Sequence, residues 1–167
     1  GVATNGSNAY MNTGFALNIL TTTSCNVAVY IRQAFNSSGQ SHTSLYEGNS
    51  KCFYLATTLN TSVNPIAFDL SSPNSYNDTS TLGLVATNAL SGTTNGYKNG
   101  VNKYSKTTAG IIPVNNIFLG CNNNNGLAIE FSNSQYSLLC ISDGLTATEH
   151  TNLYNITQTF QTIPNNR

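Results

Sequence analysis

The order of elements in the last quarter of the chain constrains the fold more than any other feature. Residues 114–163 begin with short runs rich in Val, Ile, Leu and Phe, which Asn- and Gly-rich stretches interrupt, and they end in a segment with helical spacing. Such apolar runs favour strands, and Asn and Gly favour turns. The order predicts an all-β domain that is closed by one C-terminal helix.

The helix is predicted over about residues 146–162. Thr146 and Glu149 fit a capping box, in which the Thr hydroxyl caps the first turn and the Glu carboxylate reaches back to the Thr backbone. Four apolar residues recur at helical spacing: Leu153, Ile156, Phe160 and Ile163. We expect this apolar stripe to face the strands.

Strand-like segments separated by turns fill the rest of the chain. Residues 26–33 (NVAVYIRQ) show the period-2 alternation of a strand with one face in the core. Asn99-Gly100 is a strong hairpin signal, because both residues tolerate φ > 0, and Asn122–Gly126 is expected to be a turn or loop. A spacing of about ten residues per strand predicts an antiparallel two-sheet jelly-roll sandwich. The length fits a single domain over residues 1–167.

The composition predicts a polar but almost uncharged surface. Only 7% of residues are charged, the formal net charge is zero, and 66 of the 167 residues are Asn, Ser or Thr. An average soluble domain has about 25% charged residues. The scattered Lys and Arg residues argue against a nucleic-acid partner. No apolar run reaches the length of about 20 residues that a membrane span needs, and the polar start GVATNGSNAY does not resemble a signal peptide.

The four cysteines, Cys25, Cys52, Cys121 and Cys140, allow two interpretations. They form no CxxC pair and have no histidine nearby in sequence, which argues against a zinc site. The disulfides Cys25–Cys52 and Cys121–Cys140 are favoured, because each would join neighbouring strand-like segments. The alternative is four buried thiols, since free cysteine is a good small core residue.

Five Asn-x-Ser/Thr sequons occur in the chain, at Asn5, Asn36, Asn60, Asn77 and Asn155. In a secretory setting these asparagines would be glycan acceptors at the surface. In a chain so rich in Asn, Ser and Thr, several sequons also arise by chance. Both interpretations stay open.

Several segments carry a resemblance to a known family: AYMNTGF (9–15), YKNG (97–100), IPVNNIFLGCNNNNG (112–126) and SDGLTATEHTNLYNITQTFQT (142–162). They resemble the concanavalin A-like lectin/glucanase (laminin-G-like) domains of phage and other virion structural proteins. The cysteines and the terminal residues 163–167 depart from that pattern. The resemblance implies a two-sheet jelly roll, display on a virion or extracellular surface, and binding of glycans or a host cell surface. It does not imply catalysis.

Candidate carbohydrate-binding residues combine tyrosine with asparagine. Tyr offers an apolar face with a polar tip, and the Asn amide is both donor and acceptor. The candidates are Tyr97, Asn99, Tyr104, Asn122, Asn123, Asn124 and Asn125. The alternative is that Tyr97 packs within a strand and that the asparagine run serves a turn. No cofactor is expected, although Asp69 and Asp78 flank one loop and could contribute calcium ligands.

The carboxylates give little support to an enzyme. Glucanases on this fold use closely spaced pairs of carboxylates on one face of a strand. Here only Glu130, placed beside Glu47 or Asp69 in space, could form such a pair. We therefore expect a non-catalytic display or structural domain with a glycan-binding or adhesion role, and a glycoside hydrolase is a remote alternative.

A self-assembling subunit of an extracellular filament or sheath is the second hypothesis. A surface with so few charges suits lateral packing, because few charges must be desolvated at the contacts. A net charge near zero also favours association.

Overall fold

The computed structural model describes residues 1–34, 40–48, 51–58, 62–67, 76–77, 80, 82–107 and 110–162, with the side chains of 34, 40, 56–58, 62–67 and 76–77 left out. These residues form two β-sheets and one C-terminal α-helix, so the predicted fold class is confirmed. Asn36, Asn60, Asp69 and Asp78 lie outside the described residues, as does the side chain of Asn77.

Sheet I has six strands, and each neighbouring pair is antiparallel. Their order across the sheet is β1 (Val2–Ala3), β14 (Ser134–Ser142), β3 (Ser24–Ala34), β8 (Gly83–Leu90), β9 (Thr93–Lys98) and β10 (Val101–Thr107). Asn99 and Gly100 join β9 to β10 with φ values of 51° and 77°. This left-handed pair is the hairpin turn that the Asn-Gly signal predicts.

Sheet II runs in the order β13 (Leu127–Ile129), β12 (Asn122–Asn124), β4 (Gln40–Tyr46), β5 (Cys52–Thr58), β6 (Ser62–Ala67) and β7 (Tyr76–Asn77). In addition, β11 (Asn116–Leu119) pairs with β4 and with β2 (Met11–Ala16), which a single 3-10 turn follows at Leu17–Ile19. The pairing of β12 with β4 is parallel, whereas the sequence predicts antiparallel neighbours throughout.

The prediction that Asn122–Gly126 is a turn is wrong for its first three residues. Asn122–Asn124 form β12, which pairs with β4 on one side and with β13 on the other. Asparagine has low strand propensity, but two flanking strands supply partners for the backbone groups of β12 and override that preference. The turn is confined to Asn125 and Gly126, whose φ values are 50° and 92°.

Apolar side chains from both sheets fill the space between them. Val27, Val29 and Ile31 of β3 project into this core, as the alternation in residues 26–33 predicts. Their partners from sheet II include Leu45, Phe53, Leu55, Ile117 and Leu119. Ala28 lies between two of these β3 residues and packs on the opposite face of sheet I, in a second apolar layer under the helix.

Helix α1 (Ala147–Thr162) covers the outer face of sheet I. The predicted capping box is confirmed: the backbone N–H of Thr146 donates to Glu149 Oε2 at 2.8 Å, and the backbone N–H of Glu149 donates to Thr146 Oγ1 at 3.3 Å. Within the described part of the chain, no helix is long and apolar enough to cross a bilayer.

The predicted apolar stripe of the helix is wrong at two positions. Ile156 and Phe160 are each 69% exposed, whereas His150 and Thr157 are buried. The helix is rotated in this way because the His150 ring stacks on Tyr97 of β9, which fixes one turn against the sheet. Of the predicted stripe, only Leu153 packs on sheet I, and Ile163 lies outside the described residues.

All four cysteines are free thiols, and neither favoured disulfide is seen. Cys25 lies in the core between the sheets with Phe53, while Cys52 is the neighbour of Phe53 in β5 and projects to the other face of sheet II. Cys140 packs under the helix on sheet I, and Cys121 lies between β11 and β12 of sheet II. Desolvation by burial raises the pKa of Cys25 and of Cys121 to about 12, so both remain protonated at neutral pH.

Candidate functional site

The predicted carbohydrate-binding residues lie on two different sheets. Tyr97, Asn99 and Tyr104 belong to the β9–β10 hairpin of sheet I, whereas Asn122–Asn124 form β12 of sheet II. The structure therefore does not bring them together into one site.

Tyr97 is a packing residue in this fold. It is only 5% exposed, and its ring stacks on His150 with the centroids 3.6 Å apart and an angle of 14° between the planes. Desolvation by burial lowers the pKa of His150 to about 4, so the stacked imidazole is neutral at pH 7. Tyr97 therefore offers no exposed ring to a ligand.

Asn99 and Tyr104 also serve the hairpin. Asn99 has a left-handed backbone, and its Oδ1 accepts a hydrogen bond from the Leu84 N–H at 3.0 Å. Tyr104 is half-buried and packs against the core between the sheets. These contacts stabilise the edge of sheet I and leave few polar groups and little ring surface of Asn99 and Tyr104 available to a ligand.

The outer face of sheet II, which points away from the core, carries a row of polar side chains. Phe53 and Leu55 face the core, so Tyr54 between them projects outward. Ser44 of β4 is opposite Tyr54, and Asn122 of β12 lies beside Ser44. The strand pairing therefore assembles Asn122, Ser44 and Tyr54 into one row across three strands.

Glu130 follows β13 and hydrogen-bonds to this row. Its Oε2 accepts a hydrogen bond from Ser41 Oγ at 3.0 Å and another from Asn122 Nδ2 at 3.1 Å. The same amide nitrogen also donates to the Tyr54 hydroxyl oxygen at 3.3 Å. We call Ser41, Ser44, Tyr54, Asn122 and Glu130 the Glu130 cluster.

The backbone of Glu130 is strained. Its φ of 54° lies in the left-handed region, which side chains larger than glycine rarely adopt. The Ser41 N–H holds this conformation by donating to the Glu130 carbonyl oxygen at 3.0 Å. Strained residues of this kind concentrate at functional sites. Here the strained turn places an exposed carboxylate directly over buried Asn122.

Four polar groups of the cluster have no hydrogen-bond partner among the described residues. Two of them, Ser44 Oγ and Asn122 Oδ1, are buried, and the other two belong to Glu130 and Tyr54. Glu130 Oε1 accepts no hydrogen bond from the described residues, and the Tyr54 O–H donates to none of them. Desolvation by burial raises the pKa of Tyr54 to about 12 against the opposing effect of the Asn122 hydrogen bond, so the phenol keeps its proton at neutral pH. The Glu130 carboxylate, a charged acceptor, and the Tyr54 hydroxyl, a neutral donor, therefore lie on the two sides of the Asn122 amide.

Glu47 does not form a carboxylate pair with Glu130. It forms an ion pair with Lys51 at 2.7 Å and accepts the backbone N–H groups of Val114 and Asn115 at 2.9 and 2.6 Å. Glu47 directly follows β4 and is six residues from Ser41, which is roughly 20 Å along an extended chain. Paired glycosidase carboxylates are only about 5–9.5 Å apart. The other proposed partner, Asp69, lies outside the described residues.

The described residues contain no group of three or more His, Cys, Asp or Glu side chains that could hold a metal ion. Both aspartates proposed as calcium ligands lie outside those residues, so a calcium site remains an untested prediction.

A separate cleft of about 230 Å³ lies at the edge of sheet I. Its lining includes Arg32 of β3, Val2 of β1, and Gln135 and Tyr136 of β14. The charged side chain in this cleft is the cation Arg32, whereas the charged side chain of the Glu130 cluster is an anion.

Two sequons have described side chains. The side chains of Asn5 and Asn155 are exposed. Asn5 Oδ1 accepts the backbone N–H groups of Ser7, Asn8 and Ala9 at 2.9–3.1 Å, so its carbonyl oxygen organises a turn. Asn155 lies on the helix surface and is accessible to modification.

The sequence pattern indicates Glu130 only as a possible catalytic carboxylate and indicates no role for Ser41, Ser44 or Tyr54. Asn122 was selected as part of a loop, although it acts from a strand. One pattern in the sequence indicates the outer face of sheet II. In CFYLAT, apolar core residues alternate with Cys52 and Tyr54, so the pattern predicts a tyrosine on the face of the strand that points away from the core.

No protein-family model matches the chain, and no curated protein matches it either. Among solved structures, the chain is similar to the CBM40 carbohydrate-binding module of the Ruminococcus gnavus IT-sialidase. For its complex with α2,3 sialyllactose the TM-score is 0.63 at 15% identity, over 92% of this chain and 98% of the module. It is also similar to domain 4 of AbnA, a GH43 extracellular arabinanase from Geobacillus stearothermophilus, solved with arabinotriose. There the TM-score is 0.56 at 17% identity, over 92% of this chain and 86% of that domain.

A mutant of the NanB sialidase from Streptococcus pneumoniae gives a TM-score of 0.62 at 14% identity over 90% of this chain. The chain spans only 27% of that sialidase. At these identities the similarity shows a shared jelly-roll, lectin-like fold.

Proposed function

We propose that this chain is a non-catalytic glycan-binding domain and that the Glu130 cluster is its ligand surface. One observation carries the proposal: the buried amide of Asn122 fixes Glu130 and Tyr54 side by side, and each retains an open polar group. A sugar presents neighbouring hydroxyls that both donate and accept hydrogen bonds. The cluster offers the complementary pair in a rigid arrangement, which lowers the entropic cost of binding.

The structural relatives support the class of ligand. The CBM40 module was solved with sialyllactose and the AbnA domain with arabinotriose. Both match this chain over most of their own length, 98% of the module and 86% of the domain, which supports a glycan as the class of ligand. Because one fold hosts many functions, a ligand site on this chain must be formed by its own side chains, and the Glu130 cluster provides them.

The proposed setting is a virion or extracellular surface, with glycans of a host cell or of the environment as partners. The low charge and the abundance of Asn, Ser and Thr support an exposed display domain. The exposed sequons at Asn5 and Asn155 are consistent with it.

The test compares two tyrosines whose hydroxyls have similar partners. Tyr54 accepts an amide N–H from Asn122 at 3.3 Å, and Tyr30, under the helix, accepts one from Gln158 at 3.1 Å. After a glycan array identifies a ligand, titration calorimetry on Tyr54→Phe should show binding about tenfold weaker, which corresponds to the loss of about one hydrogen bond. Tyr30→Phe should bind as the wild type does. Equal affinities for the wild type and Tyr54→Phe would count against the proposed site.

Self-association is the second candidate function. Ile156 and Phe160 lie one helical turn apart and are each 69% exposed, and a net charge of zero places no electrostatic barrier against a second copy. Sedimentation velocity over a concentration series tests this hypothesis. A sedimentation coefficient that rises with protein concentration in the wild type, but not in Phe160→Ser, would support self-association. A wild-type protein that stays monomeric at every concentration would exclude it.

A further inference from the structure

We infer that the Glu130 cluster selects neutral glycans and disfavours sialylated or otherwise acidic ones. This inference rests on the proposed function and adds a ligand class to it. The R. gnavus module has the same fold and was solved with sialyllactose, so the fold itself does not exclude an acidic ligand. Whether this chain accepts acidic or neutral glycans must therefore be determined by its own side chains.

The charge at the cluster is negative and uncompensated. None of its five members forms a hydrogen bond or ion pair with a lysine, arginine or histidine of the described residues. The donors that do contact Glu130 are neutral: the Ser41 hydroxyl and the Asn122 amide. An acidic sugar placed here would bring a second carboxylate close to Glu130, and like charges a few ångströms apart repel strongly near a protein surface.

The described cations lie elsewhere. Lys51 is paired with Glu47 at 2.7 Å, and Lys98 donates to the Leu82 carbonyl oxygen. Arg32, Lys103 and Lys106 are on strands β3 and β10 of the opposite sheet. A carboxylate on the ligand would therefore meet Glu130 without a described positive charge to bind it.

Neutral hydroxyls suit the same arrangement. A sugar hydroxyl that donates to Glu130 Oε1 makes a charge-assisted hydrogen bond, which is roughly twice as strong as one between neutral groups. An adjacent hydroxyl can accept the proton of the Tyr54 phenol. The cluster therefore recognises two hydroxyls of one neutral sugar, with Glu130 as the residue that determines specificity.

The experiment uses a glycan array that pairs neutral oligosaccharides with their sialylated counterparts, followed by calorimetry on lactose, 3′-sialyllactose and arabinotriose. The variants are Glu130→Gln, which keeps the shape and removes the charge, and Asp143→Asn, a control that removes one exposed charge from the bend after β14. We expect the wild type to bind neutral members at least about tenfold more tightly than their acidic counterparts. Glu130→Gln should bind neutral glycans more weakly and lose most of this preference, and Asp143→Asn should change neither.

The outcomes separate the two claims. Wild-type protein that prefers sialylated members, or a Glu130→Gln variant with unchanged preference, overturns the neutral selectivity and leaves glycan binding intact. Wild-type protein that binds no glycan on the array overturns the proposed function together with the selectivity.

Discussion

The side-chain amide of Asn122 donates a hydrogen bond to the Glu130 carboxylate at 3.1 Å, where Asn122 lies in β12, the second strand of sheet II, and Glu130 follows the edge strand β13. Asn122 is 2% exposed, whereas Glu130 is exposed. A buried neutral amide thus fixes the position of a surface charge. This hydrogen bond preorganises the site that we propose on the outer face of sheet II.

Replacing Asn122 with alanine should weaken ligand binding and also lower the stability of the fold. Asn122→Ala removes the donor shared by Glu130 and Tyr54, so we expect glycan binding to weaken by about tenfold or more. Loss of the buried hydrogen bonds should lower the free energy of unfolding by about 1–3 kcal/mol. Calorimetry and urea denaturation measure the two effects. Unchanged affinity in a folded Asn122→Ala protein would contradict the assigned role.

The strain at Glu130 can be measured with two truncations. Glu130→Ala and Glu130→Gly both lose the contacts with Ser41 and Asn122, but only glycine adopts a φ of 54° without a steric cost. We expect the glycine variant to be more stable than the alanine variant by about 1 kcal/mol. Both should bind glycan poorly. Equal stabilities in urea would show that the backbone is not strained there.

The stack of His150 on Tyr97 predicts a pH dependence of stability. Burial lowers the pKa of His150 from its usual 6.5 to about 4, so between these values the unfolded state binds more protons than the folded state. Stability should therefore be full above pH 6.5 and should fall as the pH decreases toward 4. His42, whose pKa burial lowers to about 3, acts in the same direction.

His150→Phe isolates this effect. Phenylalanine can keep the stack, and no hydrogen bond is lost, because neither ring nitrogen of His150 has a partner among the described residues. The fall in the free energy of unfolding between pH 7 and pH 5 should be smaller in His150→Phe than in the wild type. An identical fall in both proteins would show that His150 is not held neutral by the fold.

Two glycines form a matched pair that tests the docking of the helix. Gly92 and Gly100 have φ values of 78° and 77°, but a Cβ at Gly92 would meet nothing within 4 Å. A Cβ at Gly100 would lie 3.0–3.2 Å from Thr151 Cα, Tyr154 Cβ and the His150 carbonyl oxygen. Gly92→Ala should cost about 1 kcal/mol from backbone strain alone.

Gly100→Ala should cost a further 1–3 kcal/mol or so, because the added methyl group pushes the helix away from the hairpin. Thermal or urea unfolding of the two variants measures the difference. Equal losses of stability would mean that helix α1 does not pack against the β9–β10 turn.

Local signals predicted much of the fold. The capping box of Thr146 and Glu149 and the Asn99-Gly100 turn were found correctly, because each depends on residues a few positions apart. The alternation of β3 similarly predicted which side chains enter the core. The error at Asn122–Asn124 arose because β12 is stabilised by strands β4 and β13 and not by its own propensity.

The face of the helix and the candidate site depend on distant contacts. The apolar stripe predicted that Ile156 and Phe160 would be buried. Instead, His150 is buried because its ring stacks on Tyr97, which lies about 50 residues earlier in the sequence. The Glu130 cluster joins Tyr54 to Asn122 across 68 positions. No local pattern contains that pairing, since it follows from the strand order of sheet II.

The most direct test of the account is an NMR titration of isotopically labelled protein with the best neutral glycan from the array. We expect chemical-shift changes to centre on Ser41, Tyr54, Asn122 and Glu130, and we expect the same glycan to produce no such changes in Glu130→Ala. Shifts confined to the β9–β10 hairpin or to the Arg32 cleft, with the Glu130 cluster unaffected, would contradict it.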